Sequence, residues 1–163
     1  MNDVKADVEK AFQTTFKIIF GSECKVKIED LKDYLWKYHY PLEKKKSKIS
    51  GKDVYLGENR YCGNVISYDE IDFKKSYALD INEIKDIDSI VEAVKDRIQY
   101  CGNTLSGKTD FVSESDCVTD SFYIYNSHHF FASKYAAYSS YVRDASEYIF
   151  GCSYFFNSKS VTL

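Results

Sequence analysis

The amino-acid sequence predicts an α+β protein, with a small α/β head over residues 1–109 followed by a short β-solenoid over residues 110–163. Two observations carry this reading. Between Phe111 and Ser158, a column taken every six residues reads Val112, Val118, Ile124, Phe130, Ala136, Val142, Tyr148 and Tyr154. The column three residues further on reads Ser115, Ser121, Ser127, Ser133, Ser139, Ala145, Gly151 and Asn157. Large apolar and small side chains thus alternate at every third position. That period fits neither a helix nor a flat strand, but it fits a narrow coil whose inward residues stack rung upon rung. The second observation is that the residues that start, sustain and stop helices cluster before residue 110.

In the head, Asp3 is placed to cap a helix whose positions Val4, Val8, Ala11, Phe12, Thr15, Phe16 and Ile19 keep helical spacing, and Gly21 is placed to end it. Its Phe-rich face is expected to pack against the rest of the domain. A second helix is predicted through Leu31, Leu35 and Tyr38 up to Pro41, which cannot continue it. Trp36 lies there among Tyr34, Tyr38, His39 and Tyr40, a group read as a core corner with a binding platform as the alternative. Residues 43–50, with Lys44, Lys45, Lys46 and Lys48 ahead of Ser50 and Gly51, read as a solvated linker. Strand signals follow over 53–56, 64–73 and 76–81, with turns at Gly57-Glu58-Asn59 and Cys62-Gly63-Asn64, and predict a small antiparallel hairpin or meander. Ser89 and Glu92 have capping-box spacing. Ile87, Val91, Val94, Ile98 and Cys101 share one helical face, and Gly102-Asn103 is placed to end that helix.

In the repeat, two hexads make a coil of twelve residues, so Phe111 to Ser158 holds four coils. At a strand spacing of about 4.8 Å they stack to roughly 20 Å. In so narrow a coil, a side with a large inward residue is expected to face a side with a small one. Twelve-residue coils with an inward residue at every third position resemble those of the beetle antifreeze proteins, within a short-repeat class that also includes pentapeptide-repeat-like solenoids. The resemblance covers about a third of the chain and is one of architecture. The antifreeze proteins array Thr-x-Thr on a flat face, whereas the matching pairs here are Cys117/Thr119, His129/Phe131, Tyr141/Arg143 and Ser153/Phe155, so ice binding is not implied. The competing reading is a helix through Phe130 to Phe150, where Ala132, Ala136, Ala137 and Ala145 are good helix formers. Ser, Tyr, Phe and Val dominate the segment and favour pleated structure.

A single proline and an apolar share of 44% exclude a disordered or collagen-like chain. No apolar run has the length of a membrane span, and the first residues carry Asp3 and Asp7 where a signal peptide would be basic and apolar. The expectation is a soluble protein, cytoplasmic or otherwise intracellular, a virion included, with no membrane partner. From residue 110 onward six carboxylates face three bases, Lys134, Arg143 and Lys159, while the head balances. Neither part has the basic stripe that nucleic-acid binding needs.

Five cysteines without a Cys-x-x-Cys pair point to reduced thiols and to neither a zinc ribbon nor a disulfide framework. On an alternating strand, His128 and His129 would point to opposite sides and would not share a metal. Cys117 and His129, twelve residues apart, would lie one above the other, which is the placement of a nucleophile and base but also what column stacking produces by default. Residues Gly102 to Thr109 satisfy G-x-x-x-x-G-K-T. A working phosphate loop follows a strand and opens a helix, whereas here a predicted helix precedes it and the repeat follows, so it reads as a helix cap and loop. No catalytic, cofactor or metal residue is assigned.

The function expected from these features is a non-enzymatic structural or protein-interaction module, a component of a larger viral or cellular assembly. The alternatives are an acidic solenoid that occupies the basic groove of a nucleic-acid enzyme, and an NTP-binding enzyme built on Gly102 to Thr109. The candidate partner-binding residues are Tyr123, Tyr125, Phe131, Tyr135, Tyr141 and Phe155. The strand-like tail Lys159 to Leu163 leaves an open edge, which predicts self-association through the solenoid.

Overall fold

Every third residue from Phe111 to Ser160 takes a left-handed backbone conformation, and this explains the period of three. In the computed structural model, which describes residues 3–57, 63–76, 78, 85–95 and 97–162, Phe111, Glu114, Cys117, Asp120, Tyr123, Asn126 and their successors have φ between 43° and 68°. Two extended residues followed by a left-handed one bend the chain, so the inward position recurs after three residues. Asp120, Asn126, Asp144, Gly151 and Asn157 at the corners are residue types that tolerate this conformation well.

The coils build two parallel five-stranded sheets. One contains β6 (Asp110–Ser113), β8 (Phe122–Tyr125), β10 (Lys134–Ala137), β12 (Glu147–Phe150) and β14 (Lys159–Thr162). The other contains β5 (Leu105–Ser106), β7 (Asp116–Thr119), β9 (His128–Phe131), β11 (Ser140–Arg143) and β13 (Ser153–Phe156). Five coils result where the columns mark four, because the first coil begins at Leu105, which pairs with Val118.

The large inward residues of the two sheets meet each other. Val118, Phe130 and Val142 from one sheet and Ile124, Ala136 and Ile149 from the other form a single buried cluster. This corrects the expectation that large faces small: the serines occupy the bends between the sheets, where they bond as well as fill space. The hydroxyls of Ser115, Ser121, Ser127 and Ser139 each donate to the carbonyl two residues back and accept the N–H of the inward residue one coil on, a serine or, for Ser139, Cys152. Ser127 Oγ donates to the Tyr125 carbonyl at 2.9 Å and accepts from Ser139 N at 3.2 Å, and Ser121 does the same with Thr119 O and Ser133 N. The buried N–H groups of Ser133 and Ser139 are thereby satisfied, while a carbonyl such as Thr119 O also takes a backbone N–H, from Ala132 at 3.1 Å.

The register steps by twelve from β8 to β10 but by thirteen from β10 to β12 and from β11 to β13, as in Lys134↔Glu147 and Ser140↔Ser153. Two successive left-handed residues, Asp144 and Ala145, absorb the insertion. The predicted columns are therefore correct to Val142 and one residue out beyond it. Ile149, Phe155, Val161 and Ser146, Cys152, Ser158 continue the inward columns, while Tyr148 and Tyr154 stand outside.

Helix α1 (Val4–Phe20) forms as predicted, capped by Asp3, which accepts from Lys5 N, and ended by Gly21 at φ 68°. It lies across the sheet containing β8, β10 and β12. Val8, Ala11 and Phe12 share a core there with Tyr125, Ala137, Tyr138 and Phe150, and the Phe12 and Phe150 rings meet edge-on at 5.4 Å. The second helix is shorter than predicted: a 3-10 turn over Ile28–Leu31 leads into α2 (Lys32–Leu35), which buries Ile28, Leu35 and Trp36 in the same core. Head and solenoid thus share one hydrophobic cluster.

The lysine run is a strand rather than a linker. β1 (Glu43–Lys46) pairs antiparallel with β2 (Asp53–Leu56), and Lys44 and Lys46 both reach the Asp53 carboxylate, at 2.9 and 2.6 Å. β3 covers only Asn64–Ser67, because Ser67 and Glu70 form a capping box that turns the chain into a 3-10 helix over Tyr68–Glu70. The strand predicted over 76–81 and the turn residues Glu58, Asn59 and Cys62 fall mainly or wholly outside the described residues. α3 spans Ile87–Lys95 and starts one box earlier than predicted, since Asp86 Oδ1 accepts from Ser89 N while Ser89 Oγ accepts from Asp86 N. It also ends earlier, because residues 99–102 form β4 (Gln99–Gly102), parallel to β3. Gly102 is thus a strand residue and not a helix cap; a Cβ there would run into the Tyr55 carbonyl and the Leu56 and Val54 side chains. Among the described residues, no helix is long and apolar enough to cross a membrane.

Ser127→Ala is expected to lower stability by about 1–3 kcal/mol, because it leaves Ser139 N and the Tyr125 carbonyl buried without a partner. Ser127→Cys is expected to cost less, since Cys152 holds an equivalent place and donates to Phe150 O. Urea denaturation of the three proteins checks this, and an alanine variant as stable as the parent would refute the role given to the hydroxyl.

Candidate functional site

In each strand from β6 to β14 the second residue is left-handed and points outward, and these residues stack between coils. On the β6-to-β14 sheet, Phe111, Tyr123, Tyr135 and Tyr148 form one ring ladder with centroids 4.8, 4.7 and 5.0 Å apart and planes within 8°. It is half-buried beside Asp7, Ala11 and Thr14 of α1. On the other sheet, His129, Tyr141 and Tyr154 form a second ladder at 4.5 and 4.8 Å, continued on β7 by Cys117. Next to it the last residues of the strands, Thr119, Phe131, Arg143 and Phe156, form a parallel column. Phe131, Tyr154 and Phe156 are 46%, 67% and 53% exposed. Between the two columns runs an open groove of about 560 Å³, lined by Cys117, His129, Phe130, Phe131, Tyr141, Arg143, Tyr154 and Phe156.

The first outward residues on this sheet are covered by the head. Asp116 is fully buried, accepting from Gly57 N at 2.9 Å and from Thr104 N at 2.8 Å. His128 is also fully buried, stacked on Trp36 with centroids 5.8 Å apart and planes 9° apart. Its Nε2 faces the Tyr40 carbonyl at 2.9 Å and so donates; its Nδ1 then accepts from His129 Nδ1 at 2.8 Å. Burial holds the His128 pKa down at about 4. The two histidines therefore lie on the same side of the sheet, not opposite sides as alternation predicted, because the left-handed turn at His129 breaks the alternation. His39 completes the group, with Nε2 donating to Gly151 O at 2.8 Å and Nδ1 bonded to Ser153 Oγ, which in turn bonds Ser140. All three histidines and Trp36 fasten the α2 corner to the solenoid. Trp36 is the core corner the sequence predicted, and its indole N–H donates to Asn126 at 3.1 Å.

The phosphate-loop match has a different geometry. Residues 102–109 run from β4 through β5 into the first coil, with no helix at either end. The amides that would cradle a phosphate are satisfied internally: Thr104 N by Asp116, and Lys108 N by Asp120 Oδ1 at 2.8 Å. Gly107, at φ 64°, is required because a Cβ there would meet the Asp120 carboxylate. Among the described residues, no group of three or more His, Cys, Asp or Glu side chains is placed to hold a metal.

Of the residues expected to bind a partner, the fold brings Phe131 and Tyr141 together on the groove. Tyr123 and Tyr135 stand half-buried in the α1-side ladder, Tyr125 is buried beneath α1, and Phe155 points into the solenoid core. Tyr154 and Phe156 were missed because the inserted residue reverses inside and outside after Val142. The signal was present in the serine column, which resumes at Ser146, Cys152 and Ser158 once one residue is skipped. The chain matches no protein-family model, and no curated protein or solved structure matches it.

Two predictions follow from this geometry. Lys108→Ala is expected to leave stability within about 0.5 kcal/mol, as for an ordinary surface change. Asp120→Ala, which strips the acceptor from Lys108 N, is expected to be the more destabilising; calorimetric nucleotide binding by the parent that Lys108→Ala abolishes would overturn this reading. The second prediction concerns pH. Below pH 6.5 only the unfolded chain protonates His128, so stability falls as pH drops from about 6.5 toward 4, by up to about 3 kcal/mol. His128→Gln, which keeps a donor toward Tyr40 O, is expected to show a smaller loss between pH 7 and pH 5 in urea titrations; an unchanged loss would mean that another group titrates.

Proposed function

We propose that the protein is a non-enzymatic interaction module and a component of a larger assembly, in which the solenoid is a rigid platform that presents an aromatic face to a protein partner. The observation that supports this most is the gathering of Phe131, Tyr154 and Phe156, all exposed, beside Tyr141 and Arg143 on one sheet. Tyr40 borders this face through its carbonyl on His128, and Tyr38 lies two residues before it; their side chains are 71% and 76% exposed. Aromatic residues and arginine are the types enriched at protein interfaces, and an exposed apolar patch of this kind is otherwise a cost in solubility. Parallel strands cross-linked from within hold the rings in place, so docking orders few side chains.

The acidic-mimic reading finds less support. Asp116 is buried beneath the head against two amides, Asp120 accepts from Lys108 N, Glu114 accepts from Asn126, Asp144 pairs with Arg143, and Glu147 pairs with Lys159. Among the described residues of the solenoid, no array of unengaged carboxylates is left on one face to imitate a phosphate backbone.

Co-purification from the native source tests the proposal. A partner retained by the parent and by Lys134→Ala, on the opposite sheet, is expected to be lost with Phe131→Ser/Phe156→Ser while the melting temperature of that variant stays near the parent's. Undiminished retention by the double variant would refute the assignment. Light scattering of the purified chain shows whether the partner is a second copy.

A further inference from the structure

We propose that the groove between the two outward columns of the β5-to-β13 sheet is a binding site for an elongated planar aromatic anion. The site lies on the face assigned above to a protein partner, but it does not depend on that assignment. Its walls are two residues apart along each strand, which places them about 6–7 Å apart, and it crosses β7, β9, β11 and β13, a length of about 14 Å. A volume of about 560 Å³ lies within the range of small-molecule sites, roughly 300–1,000 Å³. A slot of these proportions admits a flat ring system set on edge and aligned with the solenoid axis.

The chemistry of the walls selects the ligand. On one side, His129, Tyr141 and Tyr154 stack with their planes 16° and 0° apart, so the rings cover one another's faces and present edges to the groove. The positive edges of the rings suit the electron-rich face of an aromatic guest. On the other side stand Phe131 and Phe156, with the Arg143 guanidinium 5.7 Å from the Phe156 ring centroid. Arg143 is the one permanently charged side chain among the lining residues, and no carboxylate lines the groove. Its Nε meets Asp144 at 3.5 Å, which leaves the rest of a five-donor fork for a carboxylate or sulfonate. Charge therefore favours an anion, and the backbone-locked ladder lowers the entropic cost of binding it.

The probes are Congo red, an elongated planar disulfonate, and thioflavin T, a planar cation, each titrated into the full chain at neutral pH by calorimetry and absorbance. Congo red is expected to bind saturably at one molecule per chain and at least about ten-fold more tightly than thioflavin T. Phe131→Ala and Arg143→Gln are each expected to weaken Congo red about ten-fold or more, and Lys134→Gln on the opposite sheet to leave it unchanged. Arg143→Gln is further expected to bring the two dyes to similar affinity. Absence of saturable binding, equal affinity of the parent for both dyes, or indifference to Phe131→Ala and Arg143→Gln would each overturn the proposal. Thermal melting confirms that both variants fold, as expected for partly or fully exposed side chains. Co-purification in the preceding test reads the protein partner separately, so either assignment can fail without the other.

Discussion

The hydrogen bonds of the inward serines are the constraint on which the rest of the solenoid depends. A coil of twelve residues bends too sharply for strand ladders to reach the N–H of the inward residue at each bend, which faces a dry interior beside a carbonyl with a lone pair to spare. One hydroxyl serves both: Ser115, Ser121, Ser127 and Ser139 each donate within their own coil and accept from the next. Alanine would fill the space without the bonds, and valine would neither bond nor fit. The opposing cost is the left-handed backbone, roughly 1–2 kcal/mol for each residue other than glycine. The apolar column, the parallel ladders and the serine rungs together offset that cost, which accounts for the strictness of the repeat up to the one place where it shifts register.

The same left-handed residues decide what the protein shows to its surroundings. With one residue in three pointing inward, two in three point outward, and on each sheet they form columns that the coil spacing brings to ring-stacking distance. Both sheets therefore carry an aromatic ladder, and the head decides which is left uncovered. α1 closes over Tyr125, Ala137 and Phe150 and partly over Tyr123, Tyr135 and Tyr148. The α2 corner closes over His128 and reaches Ser153 through His39. What remains open is the outer half of the second sheet, and the candidate site is defined by that remainder.

The repeat was legible because its period is short and its inward chemistry nearly binary; Val112 to Val142 and Ser115 to Ser139 can be read off the sequence directly. The exposed face was legible only in part. Phe131 and Tyr141 precede the insertion at Asp144-Ala145 and were placed on the outside, whereas Phe155 follows it and was placed there in error of one position. Local signals misled where tertiary contacts overrode them. The lysine run reads as a loop by charge alone, but alternate lysines share Asp53 and the strand pairs with β2. Cys101 keeps a helical spacing with Val91, Val94 and Ile98, yet β3 offers it a strand partner in Ile66, and Gly102 fits only beneath Tyr55. The histidine pair failed for a deeper reason: alternation is a rule for strands without left-handed residues, and His129 is one.

Head and solenoid behave as one cooperative body rather than a module and its cap, for reasons visible in single residues. Asp116 is a solenoid side chain, yet both of its partners, Gly57 N and Thr104 N, belong to the chain before the repeat. Trp36 belongs to the head, yet its N–H is spent on Asn126 and its ring on His128. Each is buried, so removing either side would strand a carboxylate, an amide or an indole N–H in a dry interface, at a cost larger than the bond itself contributes. A rigid face follows from this sharing. The strands that carry Tyr141 and Phe131 are held from inside by hydroxyls and from one flank by the histidine corner, so the groove is formed before anything enters it.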